Sequence, residues 1–260
     1  MSSQDELGGN LSRVRVLVER AAGEGAQIVV LPENFAFMGT VDQRRAIAEE
    51  LDLGGPIVSA LVELASRNGV YLVAGGMPER STDPERPFNT CAVIAPGGIL
   101  AARYRKIHLF DVEVGDGQRY CESASTTAGH EAFAVPIHGF KVGLSICYDV
   151  RFPELYRRLV DLGSEIIVVP AAFTLATGKD HWHALLRARA IESQAYVVAP
   201  AQWGSHPHGR RTYGKSVVID PWGDVIAQAQ EGEGIVTATV SRAYLDKVRR
   251  DLPSLQHRRL

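Results

Sequence analysis

Short runs of β-branched and other apolar residues recur along the chain, at Gln27–Leu31, Val70–Ala74, Thr90–Ala95, Ile99–Tyr104, Lys141–Ile146, Glu165–Val169, Tyr196–Ala199 and Ser216–Asp220. Runs of this length and composition predict strands. Between many of them apolar positions return at helical spacing, over Leu11–Ala22, Ile57–Arg67, Pro153–Leu162 and Trp182–Ser193. Strands and helices therefore alternate, which predicts an α/β architecture. No linker or low-complexity segment divides the chain, so residues 1–260 read as a single domain.

Two stretches echo each other. Ala26–Phe35 resembles Ser164–Phe173, Tyr71–Ala74 resembles Tyr196–Ala199, and Val93–Gly98 resembles Val218–Gly223, in the same order in both halves. An internal duplication predicts two pseudo-symmetric α/β halves packed sheet against sheet. The correspondence breaks at one point. The second half opens with the strand Lys141–Ile146 ahead of its helix, whereas the helix near Leu11–Ala22 is preceded only by Met1–Asn10, which is polar and turn-like. The first half is therefore expected to have no strand before Leu11 and a vacant lane in its sheet.

Composition narrows the function classes. With 260 residues, 45% of them hydrophobic and 22% charged, the chain can bury a substantial core and does not read as disordered. A net charge of −2 gives no general attraction to nucleic acid or to an anionic membrane, which leaves small molecules as the expected ligands. The longest apolar stretch, Ile166–Phe173, falls far short of the roughly 20 residues that a bilayer-spanning helix needs. Three cysteines suggest free thiols in a reducing compartment, so a cytoplasmic protein is expected. Met1–Asn10 carries neither a basic start nor an apolar run and does not read as a secretory signal.

The sharpest local feature is Cys147, placed between the apolar strand Lys141–Ile146 and a helix opened by Pro153. Such an elbow exposes a side chain and turns the following backbone N–H groups toward the same spot, as an acyl-transfer nucleophile requires. A buried structural thiol is the rival reading. A free thiol is only slightly ionised at neutral pH, so a nucleophilic cysteine needs a base or cation beside it. None of the eight histidines sits at an obvious strand end, but Glu33 and Lys106 each follow one. Functional groups of α/β sheets gather at the carboxyl ends of strands, where these three residues could converge. Each charge taken alone could equally be a solvated strand-end residue.

Leu31-Pro-Glu33-Asn-Phe35, Arg105-Lys106-Ile-His-Leu-Phe-Asp111 and Ile146-Cys147-Tyr-Asp-Val-Arg151-Phe-Pro-Glu154 resemble, in order, the three catalytic motifs of the nitrilase superfamily. Phe173, His181-Trp182, Arg187–Glu192 and Tyr213–Ser216 extend the resemblance over nearly the whole chain. It implies a four-layer α-β-β-α sandwich and an amidase that cleaves a C–N bond through a cysteine thioester without any cofactor. On that pattern Glu33 is the base, Lys106 and the Tyr148 N–H stabilise the oxyanion, and Cys147 is the nucleophile. Glu122 resembles a second active-site glutamate that holds Lys106. Phe173, Thr174 and Thr177 follow a strand end and read as pocket walls, or else as loop packing; the family pattern implies a homodimer or larger homo-oligomer. The resemblance is greatest to the branch containing deaminated glutathione amidase and ω-amidase, and Asp111-Val-Glu113, Cys121-Glu-Ser123, Asp220–Gly223 and Gln256–Arg259 lean toward the former; the rival readings are an ω-amidase acting on α-ketoglutaramate, an N-carbamoyl hydrolase and a catalytically silent binding protein. Related amidases open with an apolar strand followed by small polar residues like Ser2 and Ser3, so Met1 is expected to be an internal methionine of a longer protein.

Arg151 could form a paired hydrogen bond with a substrate carboxylate, or an ion pair with nearby Asp149. His181-Trp-His183 and His206-Pro-His208 invite a metal reading, but no cysteine or carboxylate lies at a recognised zinc spacing beside them, and no metal is expected. Cys91 falls inside a strand and reads as core; Cys121 has no assigned role. Arg249, Arg250, Arg258 and Arg259 make a basic tail that reads as solvated or subunit-contacting and not as a nucleic-acid site.

Overall fold

A computed structural model describes residues 1–113 and 119–259. Its first sheet holds β1 (Ile28–Leu31), β2 (Tyr71–Glu79), β3 (Phe88–Ile94) and β4 (Leu100–Arg105), in that spatial order. Two ribbons pair by themselves: β5 (Asp111–Glu113) with β6 (Arg119–Cys121), and β11 (Trp203–Ser205) with β12 (Arg211–Tyr213). The second sheet contains β7 (Phe133–Ile137), β8 (Phe140–Leu144), β9 (Ile166–Val168), β10 (Tyr196–Ala199), β13 (Val217–Ile219) and β14 (Val225–Gln228), ordered β14-β13-β10-β9-β8-β7. The helices are α1 (Leu7–Gly23), α2 (Val41–Ala46), α3 (Pro56–Asn68), α4 (Pro153–Asp161), α5 (Leu175–Ser193) and α6 (Arg242–Asp251).

Side-chain alternation makes these elements into layers. Leu72, Ala74, Ala92 and Ile94 share a cluster with Val14 and Val18 of α1 and Leu61 and Leu64 of α3. Their neighbours Val73, Cys91 and Val93 belong instead to the cluster of Val142 and Leu144 on the second sheet, which also takes in Leu159 of α4 and Trp182 of α5. Successive strand residues point to opposite faces, so both faces of the first sheet are buried, one under helices and one against its partner sheet. This is the α-β-β-α sandwich that the sequence predicts. Leu61 and Leu64 are almost wholly buried; truncating either to alanine should cost about 2–5 kcal/mol.

The duplication is written into the topology. β1, β2, β3 and β4 correspond to β9, β10, β13 and β14, each set with one parallel pair followed by two antiparallel ones. β9 has a further parallel neighbour in β8. Among the described residues β1 pairs with β2 alone, in the register Ile28↔Tyr71 to Leu31↔Ala74. A groove of about 660 Å³ has among its walls Ile28–Leu31, Met1 and the non-strand segment Gly234–Val240. Residues 1–6 form no strand.

The chain after β14 turns back onto the body. Arg249 of α6 donates to the carbonyls of Gln194 and Ser164, and Arg258 pairs with Asp161 at 2.7 Å. These two members of the basic tail are therefore occupied within their own chain. No helix among the described residues is long and apolar enough to cross a membrane.

Candidate active site

Three loops leaving the carboxyl ends of β1, β4 and β8 bring Glu33, Lys106 and Cys147 to one cavity of about 270 Å³. Gly75 and Gly76 interrupt the register of β2 against β3 and open the space for Glu33. A Cβ on Gly76, whose φ is +73°, would lie 2.8 Å from Glu33 Cγ, and one on Gly75 would lie 2.1 Å from Pro170 Cβ. Only glycine fits that approach.

Lys106 Nζ donates to Glu33 Oε1 at 3.0 Å and to Glu122 at 2.8 and 3.1 Å. All three groups are buried or nearly so, and the ion pairs compensate the loss of solvent. Burial works against the lysine charge, but Glu122 and Glu33 outweigh it and hold the ammonium above its ordinary range. Burial likewise opposes the Glu122 charge, and Lys106 with Arg44 outweighs it, bringing this carboxyl from 4.5 to about 2. Asn89 Nδ2 bridges the two carboxylates, at 3.0 Å from Glu33 Oε1 and 3.2 Å from Glu122 Oε1. The Ala172 N–H donates to Glu33 Oε2 at 3.0 Å, and the Phe110 N–H donates to Glu122 Oε2 at 2.8 Å.

Cys147 opens a 3₁₀ turn, Cys147–Arg151, with φ of +48°, a left-handed conformation that is strained for a side-chain-bearing residue. Asp149, fully buried, pins the elbow. Its carboxylate accepts from the Ile146 N–H at 2.8 Å, the Tyr104 hydroxyl at 2.7 Å and the His108 N–H at 3.1 Å, with His108 Nδ1 a further 2.7 Å away. The Cys147 N–H donates to Pro170 O and the Asp149 N–H to Ile146 O, but the Tyr148 N–H between them meets no backbone carbonyl among the described residues. It is left free to receive an oxyanion. Burial, and secondarily Glu33, pushes the Cys147 thiol well above its ordinary value, while Lys106 pulls it down more weakly. The resting sulfur is therefore a neutral thiol that needs a base at the moment of attack.

Of the expected wall residues, Tyr148, Phe173, Thr174 and Thr177 line the cavity. Tyr148 stacks edge-on against Phe110 and Phe152, and Phe173 packs on Trp182. The Thr174 hydroxyl caps α5 by accepting from the Thr177 N–H. Arg151 stands behind these walls. Its guanidinium lies over the rings of Phe173 and Tyr148 and its NH1 is 3.3 Å from His181 Nδ1, outside the lining residues. Asp149 is already taken by the elbow and forms no ion pair with Arg151 among the described residues, while Arg151 stands against two of the cavity's wall residues. The cavity's arginines are Arg44, Arg119 and Arg210.

Asn89, Asp149, Arg44 and Arg210 belong to this site and were not found by sequence reasoning as parts of it. Asn89 is an uncharged residue within β3, and Arg44 sits in the short helix α2; only their placement around Glu33 and Glu122 marks them. Cys121 is exposed at the cavity wall, whereas Cys91 is core, its thiol pushed up to about 12 by burial. His206 is buried between the Ser3 carbonyl and the Thr212 hydroxyl, and His183 bonds Gln228. Among the described residues no group of three or more His, Cys, Asp or Glu is placed to hold a metal ion.

Residues 1–250 match the carbon-nitrogen hydrolase family. The chain is 46% identical over 266 residues to a deaminated glutathione amidase of Synechocystis sp., covering 99% of this chain and 95% of that protein. Its fold is similar to the C. elegans NitFhit protein, with a TM-score of 0.93 and 39% identity; all of this chain is covered, and it spans 63% of that longer one. It is also similar to Saccharomyces cerevisiae Nit3, a member of branch 10 of the nitrilase superfamily, with a TM-score of 0.86, 33% identity, and 97% and 90% of the two chains covered. The motifs, the duplicated sandwich and these likenesses agree, and the chain belongs to the carbon-nitrogen hydrolase family.

Proposed function

We propose that the protein is a thiol amidase of deaminated glutathione, in which Cys147 is the nucleophile, Glu33 the proton shuttle and Lys106 the oxyanion's cation. The observation that carries this reading is a neutral, buried thiol beside a carboxylate that Lys106, Asn89 and the Ala172 N–H hold in place. Glu33 accepts the thiol proton as the sulfur forms its bond to the amide carbon. The oxyanion of the tetrahedral intermediate is met by Lys106 Nζ and the Tyr148 N–H. Collapse breaks the C–N bond, and the proton held by Glu33 passes to the leaving nitrogen, which departs as a neutral amine. Water then gives a proton to Glu33 and attacks the thioester. The C–S bond breaks, the proton returns to sulfur, and the carboxylic acid leaves.

Glu122 anchors Lys106 from the other side and stays ionised through the neutral range. The choice of substrate rests on the likeness to deaminated glutathione amidases. The reading also places the protein in the cytoplasm as a homo-oligomer, with its three free cysteines in keeping with a reducing compartment. Purified protein should release 2-oxoglutarate from deaminated glutathione with a higher kcat/KM than it shows for α-ketoglutaramate or an N-carbamoyl amino acid. Preference for α-ketoglutaramate would make it an ω-amidase, and preference for the carbamoyl compound would move the reaction class.

A further inference from the structure

Glu33 and Lys106 follow strands of the first sheet and Cys147 follows β8 of the second, so their mutual geometry is set across the boundary where the sheets pack. That boundary is apolar, with Val73, Cys91 and Val93 on one side and Val142 and Leu144 on the other. Apolar burial is non-directional. It holds the sheets together without choosing their register to the precision that catalysis needs, where a misplacement of about 1 Å can cost roughly 10²-fold.

Glu33 has its own ties to the second half, through the Ala172 N–H and Gln202. For Lys106 the tie is Asp149. This buried carboxylate sits on the turn that Cys147 opens, yet it collects donors from both sides of the boundary. Oδ2 accepts from the Ile146 N–H, next to the nucleophile, at 2.8 Å and from the Tyr104 hydroxyl of β4 at 2.7 Å. Oδ1 accepts from the His108 N–H at 3.1 Å and lies 2.7 Å from His108 Nδ1. Tyr104 and His108 flank Lys106 symmetrically in sequence. A carboxylate only accepts, so His108 carries a proton on Nδ1; burial, and secondarily Asp149, raises the Tyr104 phenol well above its ordinary value and keeps it a donor. The His108 ring also stacks on Phe152, just past the turn, with centroids 3.7 Å apart and planes 5° from parallel.

We propose that Asp149 is a positioning residue for the oxyanion site, a joint that locks the loop bearing Lys106 to the elbow bearing Cys147. Hydrogen bonds to one dry carboxylate from both sides fix direction as well as distance, which the apolar boundary does not. With the joint intact, Lys106 Nζ and the Tyr148 N–H address the same oxyanion. With its donors removed, loop and elbow keep their folds but lose their common register. The proposal rests on the amidase reading, and alkylation of Cys147 tests it without turnover.

The test uses the full chain with Tyr104→Phe and His108→Ala together, which take two donors from Asp149 and leave the carboxylate in place. On deaminated glutathione the pair should lower kcat about 10- to 100-fold and leave KM nearly unchanged, as misalignment does. His108→Asn in place of His108→Ala should recover part of the rate by restoring an N–H donor. Adding Lys106→Met is the decisive step. It should cost about 10²- to 10³-fold in the parent but less than about 10-fold in the pair, whose cation already misses the oxyanion, because groups that act as one unit are non-additive. Tyr104→Phe alone, which keeps the ring, carries the same cycle if the pair does not fold. The rate of Cys147 alkylation by iodoacetamide is read on the same proteins, since Lys106 draws the thiol down, and the Lys106→Met factor should shrink there too. A shrunken factor in alkylation, from a parent that hydrolyses no amide, would keep the joint and remove the amidase reading. An equal Lys106→Met factor in both backgrounds would overturn the proposal, leaving Asp149 a role in the fold alone.

Discussion

The two halves of the molecule repeat one plan but hold their catalytic residues by different means. Cys147 follows β8, which is paired on both sides, by β7 and β9, and its elbow is then fastened by Asp149. Glu33 follows β1, which among the described residues is paired on one side only. The backbone of Glu33 is held instead from across the molecule, since Gln202 donates to its carbonyl at 3.0 Å and to the Ser3 hydroxyl at 2.7 Å. Ser3 in turn donates to the Phe35 carbonyl and its N–H donates to Gln202. The sheet fixes the nucleophile, and a polar clasp between the start of the chain and the second half fixes the base. Buried, satisfied hydrogen bonds of this kind can hold a backbone segment as firmly as a strand pairing does.

The comparison is tested most severely by removing each half's chemistry. Cys147→Ala should abolish turnover and leave the melting temperature within a few degrees of the parent, because it deletes the acyl acceptor and little else. Lys106→Met should lower kcat by about 10²- to 10³-fold, as the loss of one oxyanion donor typically does. A change confined to KM would place Lys106 in binding only.

A smaller effect tests the clasp. Gln202→Ala removes the donor to the Glu33 carbonyl, so kcat should drop about 10-fold or more through misplacement of the base, while the thiol of Cys147 keeps its alkylation rate with iodoacetamide. Parallel loss of both would show that the clasp supports the whole cavity and not the first half in particular.

Acid stability separates the halves further. The folded-state carboxyl of Glu122 titrates near 2, below its ordinary 4.5, so the stability it contributes is complete above about 4.5 and is lost as the pH falls toward 2. Glu122→Gln should flatten the decline in denaturation midpoint between those values. An unchanged decline would mean that other carboxylates set the acid limit.

The smallest expected difference is in amide exchange. Residues of β1 should exchange faster than those of β9, the same element of the duplication with both edges paired. The expected opening strand is checked by the same measurement: adding upstream residues in the same reading frame should slow β1 toward the rate of β9. Equal rates in β1 and β9 without any addition would break the comparison.

Much of this architecture is legible in the sequence where one physical signal dominates. The eight β-branched runs all become strands, because strands buried on both faces must be almost continuously apolar. Weaker signals lose the rest. β7 contains Pro136, which an edge strand tolerates and which hides it from a strand reading. α5 starts at Leu175, about two turns before the apolar pattern does, over Thr177, Gly178 and Lys179; its start is set by the Thr174 cap. α2 has only six residues and lacks a buried stripe. Glu33, Lys106, Glu122 and Cys147 are legible because charged or nucleophilic residues at strand ends match a motif. Asn89 and Asp149 act through neighbours distant in sequence, and Arg44 and Arg210 are recognisable only by where the fold places them, at the cavity wall.

The central claim is that an acyl group rests on Cys147 between two chemical steps. It is tested most directly by adding hydroxylamine to a reaction with an amide substrate and measuring hydroxamate, free acid and released amine together. Partition of a shared thioester predicts that hydroxamate rises and free acid falls in proportion to hydroxylamine, with both products absent in Cys147→Ala protein. Free acid as the sole product at every hydroxylamine concentration, or hydroxamate formed equally well without Cys147, would contradict the account.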